Sequence, residues 1–248
     1  MGWPVRNSYL VKTVHQTPQF DMRNRTLRLV LISFAVMVCG FSLVVGCYGW
    51  YLRLAAKHLR DDLVLLSESA TGHSDLLRVA DNYARFRVPA ASKYCRGPND
   101  SCVVEFEISN KLLSRIHLSK PSLFGARVIE LNNRIAYIEM GLHGVEQARG
   151  VSAQTTYVIP DTPVAEIFDL SSRPPYSFAE PFGKPYMRTI VTNSASSEQK
   201  TKATAFDMGC LTSFRGCNWP CDYLPLAWRD YRNVLPEDIK HPESKCAW

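Results

Sequence analysis

The sequence lacks the motifs by which most hydrolases and nucleotide-binding enzymes are recognised. It contains no Gly-x-Ser-x-Gly, no His-Glu-x-x-His and no glycine loop that would cradle a phosphate. It also has no internal repeat and no low-complexity tract. The composition, 46% hydrophobic and 21% charged, is that of a packed domain. These features favour a non-catalytic protein over the common enzyme families.

Net positive charge is small outside the first 28 residues. Residues 1–28 contain five Lys and Arg and one Asp, a net charge of +4, whereas the whole chain has a net charge of +6. The rest of the protein is therefore nearly neutral. A nucleic-acid-binding domain needs a basic face, so we expect no nucleic acid partner.

Charged residues are absent altogether from residues 29–52, LVLISFAVMVCGFSLVVGCYGWYL. A helix of that length extends about 36 Å, enough to cross a hydrocarbon core of about 30 Å. Aromatic residues cluster at its C-terminal end, as they do at membrane interfaces. We therefore expect a transmembrane helix over 29–52. More Lys and Arg precede it than follow it, which predicts a cytoplasmic tail at 1–28 and an extracytoplasmic domain at 53–248.

Two other uses of this segment stay open. It could be cleaved as a signal peptide, although its apolar stretch is long for one. Val44 to Cys47 has the form of a lipoprotein processing site, in which Cys47 would be acylated. If the segment remains a span, small residues on one side would let a second copy approach and form a homodimer within the lipid bilayer. These small residues are Ser42, Gly46 and Gly49.

Helical periodicity continues beyond the span. Apolar residues recur every three or four positions in 53–66, which predicts that the helix extends through this segment. A second helix is predicted over 74–86, with Ser74 as its N-cap.

Alternation of apolar and polar residues predicts strands after the second helix. In 103–108 the apolar residues face one side, while Glu105 and Glu107 face the other. Two alternating runs in 127–142 are joined by Asn132 and Asn133, which suit a tight hairpin turn. Further strands are predicted at Ile116–Leu118, 151–159 and 186–192. This order favours an α+β fold with an antiparallel sheet and flanking helices.

Proline interrupts the pattern between residues 160 and 185, where six prolines occur. This composition predicts an irregular connection. Its aromatic residues Tyr176, Phe178 and Phe182 are expected to pin the loop onto the core, and the alternative is that they cover a ligand pocket.

A third helix is predicted to open at Ser196, since Ser196 and Gln199 have capping-box spacing. Its apolar face would include Ala203, Phe206 and Cys210, and Gly216 is expected at a turn.

Six cysteines follow the apolar segment, and an even number on the oxidising side of a membrane predicts disulfides. Pairing near neighbours in the chain gives Cys95–Cys102, Cys210–Cys217 and Cys221–Cys246. Other connectivities remain open at this point.

Two alternative roles of the cysteines are less well supported. A zinc site needs a second pair of ligands, and only Cys217 and Cys221, with His241 downstream, approach the required spacing. A redox-active pair typically has two intervening residues, whereas Cys217 and Cys221 are separated by three. We therefore expect no metal and no cofactor.

Few other residues are candidates for chemistry. His117 is predicted to lie on the polar face of a strand, and His143 at the end of the second hairpin strand. Glu105 and Glu107 share a strand face, which is compatible with acid–base work but more typical of a solvated surface. We therefore assign no catalytic residue from the sequence.

The segments LSKPSLFGARVIELNNRIAYIEMG and CLTSFRGC…YLPLAW resemble a group of uncharacterised membrane-anchored proteins of acidobacterial type, over about residues 55–228. The resemblance implies a bacterial cell envelope, with the anchor in the inner membrane. It implies no activity.

The sequence thus predicts a non-catalytic binding or scaffold module at the membrane, or an accessory subunit of a membrane complex. Two alternatives are an envelope enzyme with a pocket under the 160–185 loop, and a thiol-redox protein using Cys217 and Cys221.

Overall fold

The computed structural model describes residues 19–68, 73–89, 102–131, 133–144, 151–158, 176–179, 186–192 and 195–234. These residues form six helices, two short 3₁₀ turns and six strands. In chain order the elements are α1 (Gln19–Glu68), α2 (His73–Asn82), a 3₁₀ turn (Ala84–Phe86), β1 (Cys102–Ser109), α3 (Lys111–Arg115), β2 (Ser122–Leu131), β3 (Arg134–Gly144), β4 (Val151–Val158), β5 (Tyr176–Ala179), β6 (Tyr186–Thr192), α4 (Ser197–Thr204), a second 3₁₀ turn (Met208–Thr212), α5 (Pro220–Tyr223) and α6 (Pro225–Val234).

Helix α1 contains the apolar run and continues without a break to Glu68, as the periodicity predicts. It is long and apolar enough to cross a membrane, with a mean hydropathy of 2.6 over its most apolar 18 residues. None of that window is buried, unlike the core helix of a soluble protein, although a signal sequence would meet the same criteria. By internal contacts the chain divides into two compact units between Gly46 and Cys47.

The six strands form one sheet in the order β1-β2-β3-β4-β6-β5. All neighbouring pairs are antiparallel except β4 and β6, which run parallel. The prediction of a wholly antiparallel sheet is therefore wrong at this one pairing. A parallel pair needs a crossover rather than a hairpin, and the crossover between β4 and β6 includes β5, which pairs with the far side of β6.

One face of the sheet, here called the inner face, packs against helices and forms the main core. In β1 every second residue is buried, and Val104, Phe106 and Ile108 are each at most 2% exposed. The α1 residues Leu59 and Leu63 are fully buried in the same cluster. Burying a leucine side chain contributes about 1.5–3 kcal/mol, so the inner face anchors the C-terminal half of α1 to the sheet.

The hairpin between β2 and β3 agrees with the sequence prediction. Asn133 has a φ of 63°, the left-handed conformation that asparagine tolerates. The strand register shifts between Ile129 and Glu130, which places a bulge beside the turn.

The segment after β1 differs from its prediction, because residues 116–118 do not form a strand. The chain makes the short helix α3 instead, and His117 follows it in a turn with a φ of 58°. The buried side chain of Asn110 explains the turn. Its Nδ2 donates to Ser119 Oγ over 2.8 Å, and its Oδ1 accepts from the backbone N–H of Ser122 over 2.9 Å.

Helix α2 is shorter than the sequence predicts and begins one residue earlier, so Ser74 is not its N-cap. It ends at Asn82. After the first 3₁₀ turn, Arg87 forms a bridge with Phe106, and the N–H of Val88 donates to the carbonyl of Glu105 over 2.8 Å. The chain leaves the helix in order to pair with the outer edge of β1.

Helix α4 opens with the predicted capping box of Ser196 and Gln199. It ends at Thr204, so Phe206 and Cys210 do not belong to it, although both are buried. The chain turns away because the N–H of Asp207 donates to the carbonyl of Tyr223 over 2.8 Å.

Part of the proline-rich segment is regular. Residues 176–179 form the edge strand β5, which corrects the prediction of an irregular connection there. Phe182 and the rest of that loop lie outside the described residues, as do Cys95, Cys246 and His241.

Candidate functional site

The other face of the sheet, here called the outer face, contains a cavity of about 260 Å³. It lies over the middle of β1, β2, β3 and β4. Its polar lining residues are Glu105, Glu107, Arg127, Glu139, His143 and Gln154. These side chains share one face because they occupy alternate positions of neighbouring strands.

Two glycines form the floor of this cavity, here called the outer-face pocket. Gly125 of β2 and Gly141 of β3 are direct partners across the sheet. Glu107 flanks them on β1, and Gln154 flanks them on β4. Three strand spacings of about 4.8 Å put Glu107 and Gln154 about 14 Å apart at their Cα atoms. The missing side chains of the glycines therefore leave a trough between two polar walls.

The imidazole of His143 leans over this floor. A Cβ added to Gly141 would lie 2.5 Å from Nε2 of His143, so the ring occupies the space that a side chain at position 141 would need. Burial lowers the pKa of His143 below its ordinary value of 6.5. The ring is therefore neutral at pH 7 and offers one nitrogen as an acceptor and the other as a donor.

Gln154 forms the wall on the β4 side and is only 6% exposed. Its Oε1 accepts a hydrogen bond from the hydroxyl of Tyr186. Burial raises the pKa of Tyr186, so this hydroxyl stays protonated and continues to donate. Among the described residues, the Nε2 of Gln154 has no hydrogen-bond partner, and neither does the buried Nε of Arg188, the neighbour of Gln154 on β6. An unmatched buried donor costs about 1–3 kcal/mol.

The two glutamates on β1 lie in the pocket wall, and both are ion-paired. The Nε of Arg127 donates to Oε1 of Glu105 over 2.5 Å, and the Nζ of Lys111 donates to Oε1 of Glu107 over 2.9 Å. Both carboxylates are partly exposed, at 26% and 35%. Their charges are thus locally balanced.

The pocket lining is polar and can form hydrogen bonds. Among the described residues that line the pocket there is no Ser, Thr, Cys or Lys that could act as a nucleophile. Glu139 and His143 are four residues apart on β3, about 13 Å along a strand, which is too far for a hydrogen-bonded acid–base pair. What converges here is a mixed set of donors and acceptors.

The structure brings together Glu105, Glu107 and His143, which the sequence singled out, but it excludes His117. That residue is exposed in the turn after α3 rather than on a strand, and it does not line the pocket.

Among the predicted disulfide cysteines, Cys210 and Cys217 are joined, with Cα atoms 5.5 Å apart. Cys102 and Cys221 are also disulfide-bonded. Cys217 and Cys221 are therefore not bonded to each other, so they are not the redox pair that the alternative hypothesis requires.

A second polar cluster joins α2 to the sheet. The Nδ1 of His73 lies 2.9 Å from Oε2 of Glu130, a carboxylate that is 1% exposed. Together with Cys102 their ligand atoms lie within 4.8 Å of one another. Because Cys102 is disulfide-bonded, it offers no thiolate, and two ligands are too few for a typical zinc site.

In the apolar run, Cys47 is a free and exposed thiol. Gly46 has no atom within 4 Å of an added Cβ, whereas one at Gly49 would lie 3.5 Å from Cγ2 of Thr212. Gly49 therefore packs against residues of its own chain. Of the three small residues proposed to form a homodimer contact, it is already covered. Ser42 is exposed.

Gly125, Gly141 and Gln154 were not predicted from the sequence to line a pocket. A glycine inside a strand suggests that something approaches the backbone closely, and Gly125 and Gly141 both had this property. Their pairing depends on strand register, and Gln154 is aligned with them only through β4.

A comparison with models of protein families, with curated proteins and with solved structures finds no match for this chain.

Proposed function

We propose that the protein is a membrane-anchored, extracytoplasmic binding module whose outer-face pocket takes a small, uncharged, polyhydroxylated ligand of monosaccharide size. The single observation that supports this most strongly is the unpartnered Nε2 of Gln154, which is buried in the pocket wall. A ligand hydroxyl that accepts from this amide would remove the cost of the unmatched donor.

The chemistry of the lining argues for hydroxyl groups. A hydroxyl both donates and accepts, and the pocket offers donors on Gln154 together with acceptors on Glu139 and on neutral His143. The ion pairs of Glu105 and Glu107 favour a ligand without net charge. The volume of about 260 Å³ lies just below the usual range of small-molecule pockets, which indicates a small ligand.

Membrane anchoring is supported by the exposed apolar run of α1, in which no residue of the most apolar window is buried. The excess of Lys and Arg before the run supports a cytoplasmic N-terminus. The sequence resemblance to envelope proteins supports the bacterial inner membrane.

Binding can be tested with the full chain in nanodiscs and two probes, D-glucose and N-acetyl-D-glucosamine. We expect saturable shifts of the His143 ring resonances in NMR spectra, because the imidazole borders the pocket floor. Gln154→Leu is expected to weaken binding by about five- to tenfold, since one hydrogen bond in a buried site contributes about 1–1.5 kcal/mol.

Gln154→Glu provides a matched variant, which keeps the size and the acceptor but removes the amide donors. It should weaken binding to a similar degree. Glu198→Gln changes an exposed residue of α4 away from the pocket and should leave binding unchanged. Unaltered binding by Gln154→Leu, or no shift with either sugar, would show that the pocket does not serve this ligand class.

A further inference from the structure

A second surface, beside α1, has exposed apolar and basic side chains that do not belong to the outer-face pocket. The turn after α3 and the second 3₁₀ turn meet there, since the N–H of Lys120 donates to the carbonyl of Ser213 over 3.1 Å. Helix α3 and the second 3₁₀ turn also contact α1. A Cβ at Gly49 would lie 3.5 Å from Cγ2 of Thr212 and 4.0 Å from Cδ1 of Leu113. The Nε of Arg53 donates to Thr212 Oγ1.

Large apolar side chains are exposed on this surface. Phe214 is 70% exposed, Leu112 52% and Ile116 41%. Among the described residues beyond Leu52, Leu65 and Leu77 are the other large hydrophobics with comparable exposure. Scattered exposed leucines are ordinary, but three apolar side chains around one junction form a patch of the kind that marks an interaction site.

The same surface is basic. Its basic residues are Arg115, Lys120 and Arg215, while the nearby Lys111 is paired with Glu107. Arg115 and Arg215 are exposed. A basic rim around exposed apolar side chains matches the headgroup region of an anionic bilayer, where cations meet lipid phosphates and apolar side chains reach the acyl chains.

The position of this surface along α1 indicates that it lies near the lipid headgroups. Gly49 lies inside the apolar run, between Tyr48 and Trp50, and Trp50 is 66% exposed. Aromatic side chains at the end of a span lie at headgroup depth. The segments that pack on Gly49 are therefore placed at the same depth.

We propose that the surface formed by Leu112, Ile116, Phe214 and the basic residues around them docks on the anionic headgroup layer, with Phe214 inserted. This inference rests on the proposed membrane anchor.

Photocrosslinking in full-chain protein tests the docking. Phe214 is replaced by p-benzoylphenylalanine, the protein is placed in nanodiscs of phosphatidylcholine and phosphatidylglycerol, and adducts are identified by mass spectrometry. We expect a phospholipid adduct at position 214. The same photoreactive residue at Phe34, exposed within the apolar run, should also give a lipid adduct, whereas at Leu77 in α2 it should give none.

The outcomes separate docking from anchoring. Lipid adducts at position 34 without any at 214 would overturn the docking surface and leave the anchor intact. Absence of lipid adducts at both positions would overturn the anchor as well. An adduct between two protein chains at position 214 would assign the surface to a second copy and overturn the lipid assignment.

Charge reversal tests the electrostatic part. Arg115→Glu combined with Arg215→Glu should reduce the lipid adduct at position 214 by about fivefold or more, because each basic residue near an anionic surface contributes appreciably to its attraction. Arg78→Glu, an exposed change in α2, serves as the matched control and should leave the yield unaltered. Equal yields in all three proteins would show that the basic rim does not contribute.

Discussion

The protonation of His143 depends on the packing of a single neighbour, Gly141. The ring is buried because no side chain at position 141 displaces it from the floor of the outer-face pocket. That burial lowers the pKa of His143. The residue type two positions away on the same strand thus affects the pKa of His143.

Gly141→Ala is expected to raise the pKa of His143 back toward 6.5. The added methyl group would lie 2.5 Å from Nε2 of His143, so the ring must move out toward solvent. An NMR titration of the ring measures this directly. Gly125→Ala is the control, since its methyl group would lie 3.4 Å from Leu123 and touch no atom of His143. An unchanged pKa in Gly141→Ala would contradict the packing argument.

The same residue makes stability depend on pH. In the window between the lowered folded pKa and 6.5, the unfolded chain binds a proton that the folded chain does not. The contribution of His143 is therefore fully present above pH 6.5 and is lost as the pH falls toward the folded pKa. This sign is opposite to that of a histidine stabilised by an acidic partner.

At the scale of elements, the alternating strands were the most predictable features. Period-two patterns located β1, the β2–β3 hairpin, β4 and β6. The buried residues alternate in β1 and β2, whereas β3 is buried along almost its whole length. The turn after β1 was mispredicted, since the isolated apolar pair Ile116 and Leu118 resembles a strand. The buried Asn110 network that closes this turn joins residues up to twelve positions apart, and it is not visible as a local pattern.

The two C-terminal helices, α5 and α6, were missed although a local feature was present. Pro220 occupies the first turn of α5, and the carboxylate of Asp222 accepts from the N–H groups of Asn218 and Trp219 over 2.8 and 3.1 Å. Proline at a helix start followed by an acidic residue is a typical N-terminal feature. Cys217 and Cys221 in this segment were interpreted as disulfide cysteines, and no helix was predicted there.

Leu59→Ala tests the attachment of α1 to the sheet. Leu59 is fully buried, so the truncation leaves a cavity and should lower the free energy of unfolding by about 2–5 kcal/mol. Leu65→Ala, two turns later and 63% exposed, should change it by less than about 0.5 kcal/mol. Chemical denaturation of the full chain in detergent measures both. Equal effects would show that this part of α1 does not pack as described.

At the scale of the whole molecule, composition located the apolar helix but not the outer-face pocket. A run of uncharged residues is a local property, and it is preserved in α1. The pocket depends on register across four strands, which brings Glu107, Gly125, Gly141 and Gln154 into one row. Glu105, Glu107 and His143 were candidates from the sequence and line this pocket. Their spacing in the sequence does not show that they lie close together.

Anchoring by α1 predicts a clear result in membrane fractionation. Met37, Phe41 and Val44 are exposed in the apolar run. Changing all three to lysine should cost about 8–10 kcal/mol of insertion free energy and release the protein into the soluble fraction after an alkaline carbonate wash. The matched triple change to leucine should remain in the pellet. Retention of the lysine variant in the pellet would argue against a bilayer span.

The two edges of the described sheet bear on whether a second copy could add a strand to it. At one end, the bridge of Arg87 with Phe106 and the hydrogen bond from Val88 to Glu105 occupy part of the free side of β1. At the other end, β5 is only four residues long. Long unpaired edges template the addition of foreign strands. Among the described residues, both edges therefore present fewer unpaired backbone groups to a foreign strand than two long bare edges would.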